Sequence, residues 1–131
     1  MRIINVGELA DETWTGPDGH SIIRGKEISE ALGRDPKSED PLERHPFDVE
    51  IQYVPAGSEA TYLHSHSLQW EFYHVISGDG TVESADGIQP IAPGDAFLFR
   101  PGEIHRIRAG EHDLAMYVIA DNPIGDKGTI V

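Results

Sequence analysis

From Phe47 onward the chain consists of short strand-like runs, each closed by a turn marked with glycine or proline, and this punctuation restricts the fold more than any other feature. "FDVEIQYV" alternates and stops at "PAG"; "ATYLHSH" has strand character; "WEFYHVI" runs into "SGDG", a hairpin-turn signal. "TVES" and "GIQPI" flank "ADG", "APGD" precedes "AFLF", "RPGE" precedes "IHRIR", and "DLAMYVIA" closes the series. Seven or eight strands of this kind predict an all-β chain whose antiparallel sheet is closed or sandwiched. The 14 glycines and nine prolines point the same way, being too many for a helical bundle. At 131 residues the chain is expected to form one domain around one core.

Residues 1–46 read differently. "RIINV" has the pattern of a first strand, and "GKEISEALG" has the spacing of a short helix closed by Gly33, although the adjoining "HSIIRG" reads equally well as a strand. "GRDPKSEDPLERHP", with three prolines and mixed charge, is expected to be an exposed loop in which His45 is solvated. The division this implies is an N-terminal arm and loop over residues 1–46, packing on a barrel formed by residues 47–131.

The formal net charge of −13 sets expectations about partners. A strongly acidic surface repels phosphate backbones and anionic lipid, so neither nucleic acid nor membrane is expected as a partner. Cysteine is absent, which removes disulfides and thiolate metal sites. "MRIINVGELADETW" lacks the apolar core of a signal peptide and no run approaches membrane-spanning length, so a cytoplasmic location is expected.

The chemistry concentrates in "TYLHSHSLQWEFYHVISG". Side chains alternate along a strand, so His64 and His66 point the same way and can grip one ion. With seven histidines in the chain, chance alone gives roughly 0.4 such pairs, so the pair carries little weight by itself. The connection "SLQ" is short enough to predict antiparallel neighbours on either side of it, which would set Glu71 opposite the histidines as a hard anionic ligand. A second stretch, "PGDAFLFRPGEIHRI", offers His105 as a third imidazole from a distant strand. His74 falls on the opposite face from Glu71 and reads as an outer-face residue; His20 and His112 read as surface.

These two stretches resemble the paired motifs of the cupin superfamily, whose fold is a double-stranded β-helix, or jelly-roll barrel. Gly57, His64, His66, Glu71 and Gly78 fall in the pattern of the first motif, and Gly94, Pro101, Gly102 and His105 in that of the second. The match departs where six residues separate Gly57 from His64, where Arg100 takes a proline position and where Ala109 replaces a frequent asparagine; none of these removes a ligand. The resemblance implies a small single-domain cupin barrel with a metal held by His64, His66, Glu71 and His105. Nitrogen and oxygen ligation without sulfur suits one divalent transition ion, Fe, Mn, Ni, Co or Zn, and does not choose among them.

Such a centre is consistent with a metal-dependent enzyme acting on a small oxygen-rich molecule, of dioxygenase, isomerase or lyase type. The alternative is a non-catalytic cupin that binds or senses a small-molecule ligand. A polar group able to move protons beside the ion would favour the enzyme, and an apolar pocket the binder. Tyr62 and Tyr73 share faces with ligand residues and are the candidate substrate contacts. Trp70 is expected to pack in the core or at an interface, and Arg100 to form an exposed ion pair at the rim. A homodimer is expected, with residues 1–30 covering an open sheet edge.

Overall fold

The computed structural model describes residues 1–16 and 19–131. Two antiparallel sheets face each other. The larger has six strands in the order β1 (Glu12–Thr15), β2 (Ile22–Glu27), β3 (Asp48–Val54), β10 (Leu114–Ala120), β5 (Glu71–Ser77) and β8 (Ala96–Phe99). The smaller has five: β11 (Gly128–Ile130), β4 (His64–His66), β9 (His105–Ala109), β6 (Gly80–Ser84) and β7 (Gly87–Ile91). This is the jelly-roll architecture expected from the turn pattern, with α1 (Ile28–Ala31) as the one α-helical turn among the described residues. No helix of the described residues is long and apolar enough to cross a membrane.

Period-two alternation places one face of each central strand inside. Val54, Val75, Ile107, Leu114 and Met116 are at most 1% exposed and fill one end of the space between the sheets. Each contributes about 1.5–3 kcal/mol by burial. Toward the other end the same inner faces turn polar. One row across hydrogen-bonded strands reads Asp48, Ala120, Glu71, Phe99; the next reads Glu27, Glu50, Val118, Tyr73, Phe97. The space between the sheets thus holds an apolar core that includes Tyr73, Phe99 and Val118, with the acids Glu27, Asp48, Glu50 and Glu71 beside it.

Several local expectations change. "RIINV" is not a strand: Asn5 accepts a hydrogen bond from Gly7 N, a single 3-10 turn follows at Val6–Glu8, and Ile3 is left 81% exposed. Its apolar alternation lacks a neighbouring strand to pair with, and the first strand is β1, held by β2. Both readings of the next segment survive in part, since β2 runs directly into α1, and Gly33 closes the turn at φ 102°. Only the last three residues of "ATYLHSH" are in a strand; Ala60 instead donates to Ile107 O.

The two predicted neighbour relations also fail. β4 and β5 lie in opposite sheets, because "SLQ" crosses between them, and "SGDG" likewise carries the chain from β5 to the smaller sheet. Short connections make hairpins only when both strands bury the same face of one sheet; here each strand is taken up by partners distant in sequence. β11 has no apolar alternation and is recruited by pairing with β4. Within the N-terminal segment, β1 and β2 extend the larger sheet beyond β3.

Candidate metal centre

Cross-strand register builds the centre. His64 and His105 are paired residues of β4 and β9, so their rings lie side by side with centroids 4.4 Å apart. His66, two residues on, shares that face at 5.0 Å from His64. Glu71 enters from the opposite sheet: its Oε1 lies 3.2 Å from His66 Nε2 and its Oε2 2.9 Å from His105 Nε2. His105 is 2% exposed and stacks on Phe99 with centroids 4.0 Å apart.

The far side of each ring fixes its direction. His64 Nδ1 donates to Tyr62 O at 2.7 Å and His105 Nδ1 to Glu103 O at 3.1 Å; a carbonyl can only accept, so each Nδ1 carries a proton and Nε2 faces inward. His66 Nδ1 pairs with Asp126 Oδ2 at 2.7 Å. Asp126 Oδ1 also accepts from Leu68 N at 2.7 Å and Gln69 N at 2.9 Å, pinning the crossing between sheets. Tyr73 OH donates to Glu71 Oε2 at 2.8 Å.

This donor set fits a divalent ion. Ligand atoms of His64, His66 and Glu71 all lie within 4.8 Å of one another, whereas two ligands about 2.1 Å from one ion stand at most ~4.2 Å apart, a difference of side-chain adjustment. His105 joins the trio through Glu71. The structure therefore brings the four expected ligands to one place.

Charge reinforces the geometry. The Glu71 hydrogen bond, against the opposing effect of burial, raises His66 to about 8. Burial pushes Glu71 up, but hydrogen bonds from His105, His66 and Tyr73 outweigh it and hold the carboxyl below its usual range. Burial lowers His64, favouring the neutral imidazole a metal requires. Because an ion must displace the His66 proton, apparent affinity is expected to fall about tenfold per pH unit below ~8 and to level off above it. Competition with a chromophoric chelator from pH 6 to 9 checks this; a flat profile refutes it. In metal-free protein the same proton has the opposite sign: its stabilisation is full below about 6.5 and is lost as pH rises through about 8.

Of the other candidates, Tyr62 is half-buried with its ring edge-on to His64 at 5.2 Å. Tyr73 is 4% exposed with its hydroxyl committed to Glu71. His74 is exposed on the outer face, and Trp70 is 44% exposed rather than packed in the core. Arg100 is exposed and makes no side-chain ion pair among the described residues, correcting the expected rim salt bridge; its backbone N–H donates to Glu103. His45, expected in solvent, is half-buried against Phe47.

Sequence reasoning missed Asp126, which stands in "IGDKG" with no spacing relation to the histidines. It also missed Asp48, Glu50 and Gln69, which with Glu71 and Asn122 line a cavity of about 240 Å³ whose floor is Val118 and Ala120. A larger cavity of about 330 Å³, lined by Ser84, Leu98 and Glu103 among others, includes none of the four ligand residues.

The cupin domain family matches residues 49–120, more than half of the chain. No protein of curated function matches it in sequence. Among solved structures it is similar to a protein from Acidithiobacillus ferrooxidans carrying the provisional name sugar phosphate isomerase, with 24% identity, TM-score 0.81 and coverage of 95% of this chain and 75% of that one. A predicted oxalate decarboxylase from Thermotoga maritima has 21% identity and TM-score 0.72, over 92% of this chain and 98% of that one. Salicylate 1,2-dioxygenase from Pseudoaminobacter salicylatoxidans has 19% identity and TM-score 0.60, over 67% of this chain and 25% of that one. At these identities the likeness is one of fold.

Proposed function

Since the chain belongs to the cupin domain family, we propose that it is a metal-dependent enzyme acting on a small oxygen-rich molecule, with one divalent transition ion held by His64, His66, Glu71 and His105. The observation that carries this is the inward direction of the imidazole Nε2 atoms, fixed by partners on Nδ1. Bound there, such an ion would supply a Lewis acid for a carbonyl or hydroxyl oxygen. Asp126 orients His66, Tyr73 fixes one oxygen of Glu71, and Phe99 covers His105. The adjoining cavity is polar, with Asp48, Glu50 and Gln69 in its wall, which favours turnover over simple binding and proton-moving reactions of isomerase or lyase type over oxygenation.

Elemental analysis of tag-free protein never exposed to an affinity metal tests the reading. About one equivalent of a transition ion per chain is the expected result. Protein that carries no ion and takes none up on reconstitution would refute it.

We also propose a homodimer. Phe72, Ile76, Leu98, Tyr117 and Ile119, each 36–49% exposed, form a contiguous outer patch on β5, β8 and β10. Patches of this kind are normally covered, and a second copy of the sheet face is the occupant, in place of the N-terminal pairing anticipated from sequence. Light scattering should give twice the 14.4 kDa chain mass at micromolar concentration and the monomer mass for Phe72→Glu/Ile119→Glu. A wild-type monomer would refute the proposal.

A further inference from the structure

The inner face of β3 carries acids where a barrel core would carry apolar groups. Asp48, Glu50 and Gln52 share the inward parity of Val54, while Val49, Ile51 and Tyr53 take the other face. Turning acids toward the interior, while Ile51 is buried at 6% exposed on the other face, is a local conflict of the kind found at functional sites. Oxygen atoms of Glu27, Asp48 and Glu50 lie within 4.8 Å of one another. Asp48 accepts from Ser29 and, at 3.1 Å, from Asn122 Nδ2; Glu50 accepts from Gln52 Nε2. The Glu27 and Glu50 carboxyl groups crowd each other, and burial followed by that contact pushes Glu27 up to about 10, while Glu27 Oε2 is buried with no hydrogen-bond partner among the described residues.

An independent feature lies in the same cavity. Gln69 is only 9% exposed and lines it, yet its carboxamide makes no hydrogen bond among the described residues. The amide's polar atoms are not among the buried ones left without a partner, so they face the cavity with donor and acceptor both available to a ligand. Across the cavity Asp48, Glu50 and Glu71 offer carboxylate lone pairs, and this amide offers a donor and an acceptor.

We propose that this cavity, sharing Glu71 with the metal centre, is the substrate pocket and that it selects uncharged polyhydroxylated molecules. The inference rests on the metal-enzyme reading for its position but not for its chemistry. A hydroxyl both donates and accepts, so a run of hydroxyls can donate to Asp48 and Glu50 while also meeting both ends of the Gln69 amide. A dianionic ligand meets carboxylates at every turn of the wall. An ammonium group satisfies the acids but leaves the amide's own donor unmet, and the acids already have internal donors in Ser29, Asn122 and Gln52.

Matched six-carbon probes test this by calorimetry on protein of measured metal content: the hexitols sorbitol, mannitol and galactitol, each against the corresponding aldarate dianion and 1-amino-1-deoxy cation. At least one hexitol should bind about tenfold tighter than both of its charged counterparts, a factor set by one charge-assisted hydrogen bond. Glu50→Gln should weaken that hexitol by a similar factor with metal content unchanged, and Gln69→Leu should weaken it independently, so that misfolding of one variant leaves the other to decide. Failure of all three hexitols to bind, tighter binding of an aldarate or amine, or unchanged hexitol affinity in folded variants would overturn the proposal. Protein without metal would refute the enzyme reading alone, and the same probes on that sample would still judge the pocket, since Asp48, Glu50 and Gln69 are not ligands.

Discussion

Replacing His105 with alanine is expected to lower metal affinity by at least about a hundredfold while leaving the barrel folded. His105 supplies one of three inward Nε2 atoms, and its hydrogen bond is among those that keep the buried Glu71 ionised. Its removal deletes one of the four proposed ligands and also weakens the carboxylate that remains. The ring stacks on Phe99, a member of the buried core, so alanine leaves a cavity there and some loss of stability accompanies the loss of metal. Asp126→Ala provides the graded comparison. It leaves every ligand in place but frees the His66 ring, and a loss of about 10–100-fold is expected. Chelator competition and elemental analysis measure both, with circular dichroism reporting the fold. Wild-type affinity in His105→Ala would show that three ligands suffice and would refute the four-ligand centre.

Gly78→Ala is expected to destabilise the barrel severely, although it adds only one methyl group. Gly78 follows β5 at φ 88°, and a Cβ there would stand 2.0 Å from Asp113 O and 2.9 Å from Leu114 Cα, backbone that cannot move without shifting β10. Positive φ and collision together should cost about 3 kcal/mol or more, lowering the melting temperature by about 10 °C. Gly57→Ala is the control. Its φ of 74° is similarly positive, but nothing lies within 4 Å of the added Cβ, so only the conformational penalty of about 1 kcal/mol applies. Equal melting temperatures for the two variants would show that the close approach to Asp113 does not matter.

Asp126 and β3 lie beyond what local pattern reveals. A lone aspartate between Gly125 and Lys127 has no periodicity to mark it; it matters only because β11 pairs with β4 and brings that turn against His66. On β3, hydrophobicity alone would turn Val49, Ile51 and Tyr53 inward, and the sheet does the reverse. β2 pairs alongside β3, and the Arg24 guanidinium lies 5.5 Å from the centroid of the Tyr53 ring, covering part of that outer face and leaving the acids to the cavity. Spacing along the chain gives Glu71 the right partners for the wrong reason: it meets the histidines across the barrel, not along one sheet.

The sequence by itself determined the strand-and-turn character of residues 47–120, the shared face of His64 and His66, and the outward side of His74. These follow from the two-residue period of a strand and from turn chemistry, both local properties of the chain. The tertiary structure alone decided which sheet each strand joins, and with it the approach of Glu71, the support from Asp126 and the acidic row of Glu27, Asp48 and Glu50. Those depend on which faces are buried together between residues distant in sequence, and no local pattern encodes that choice.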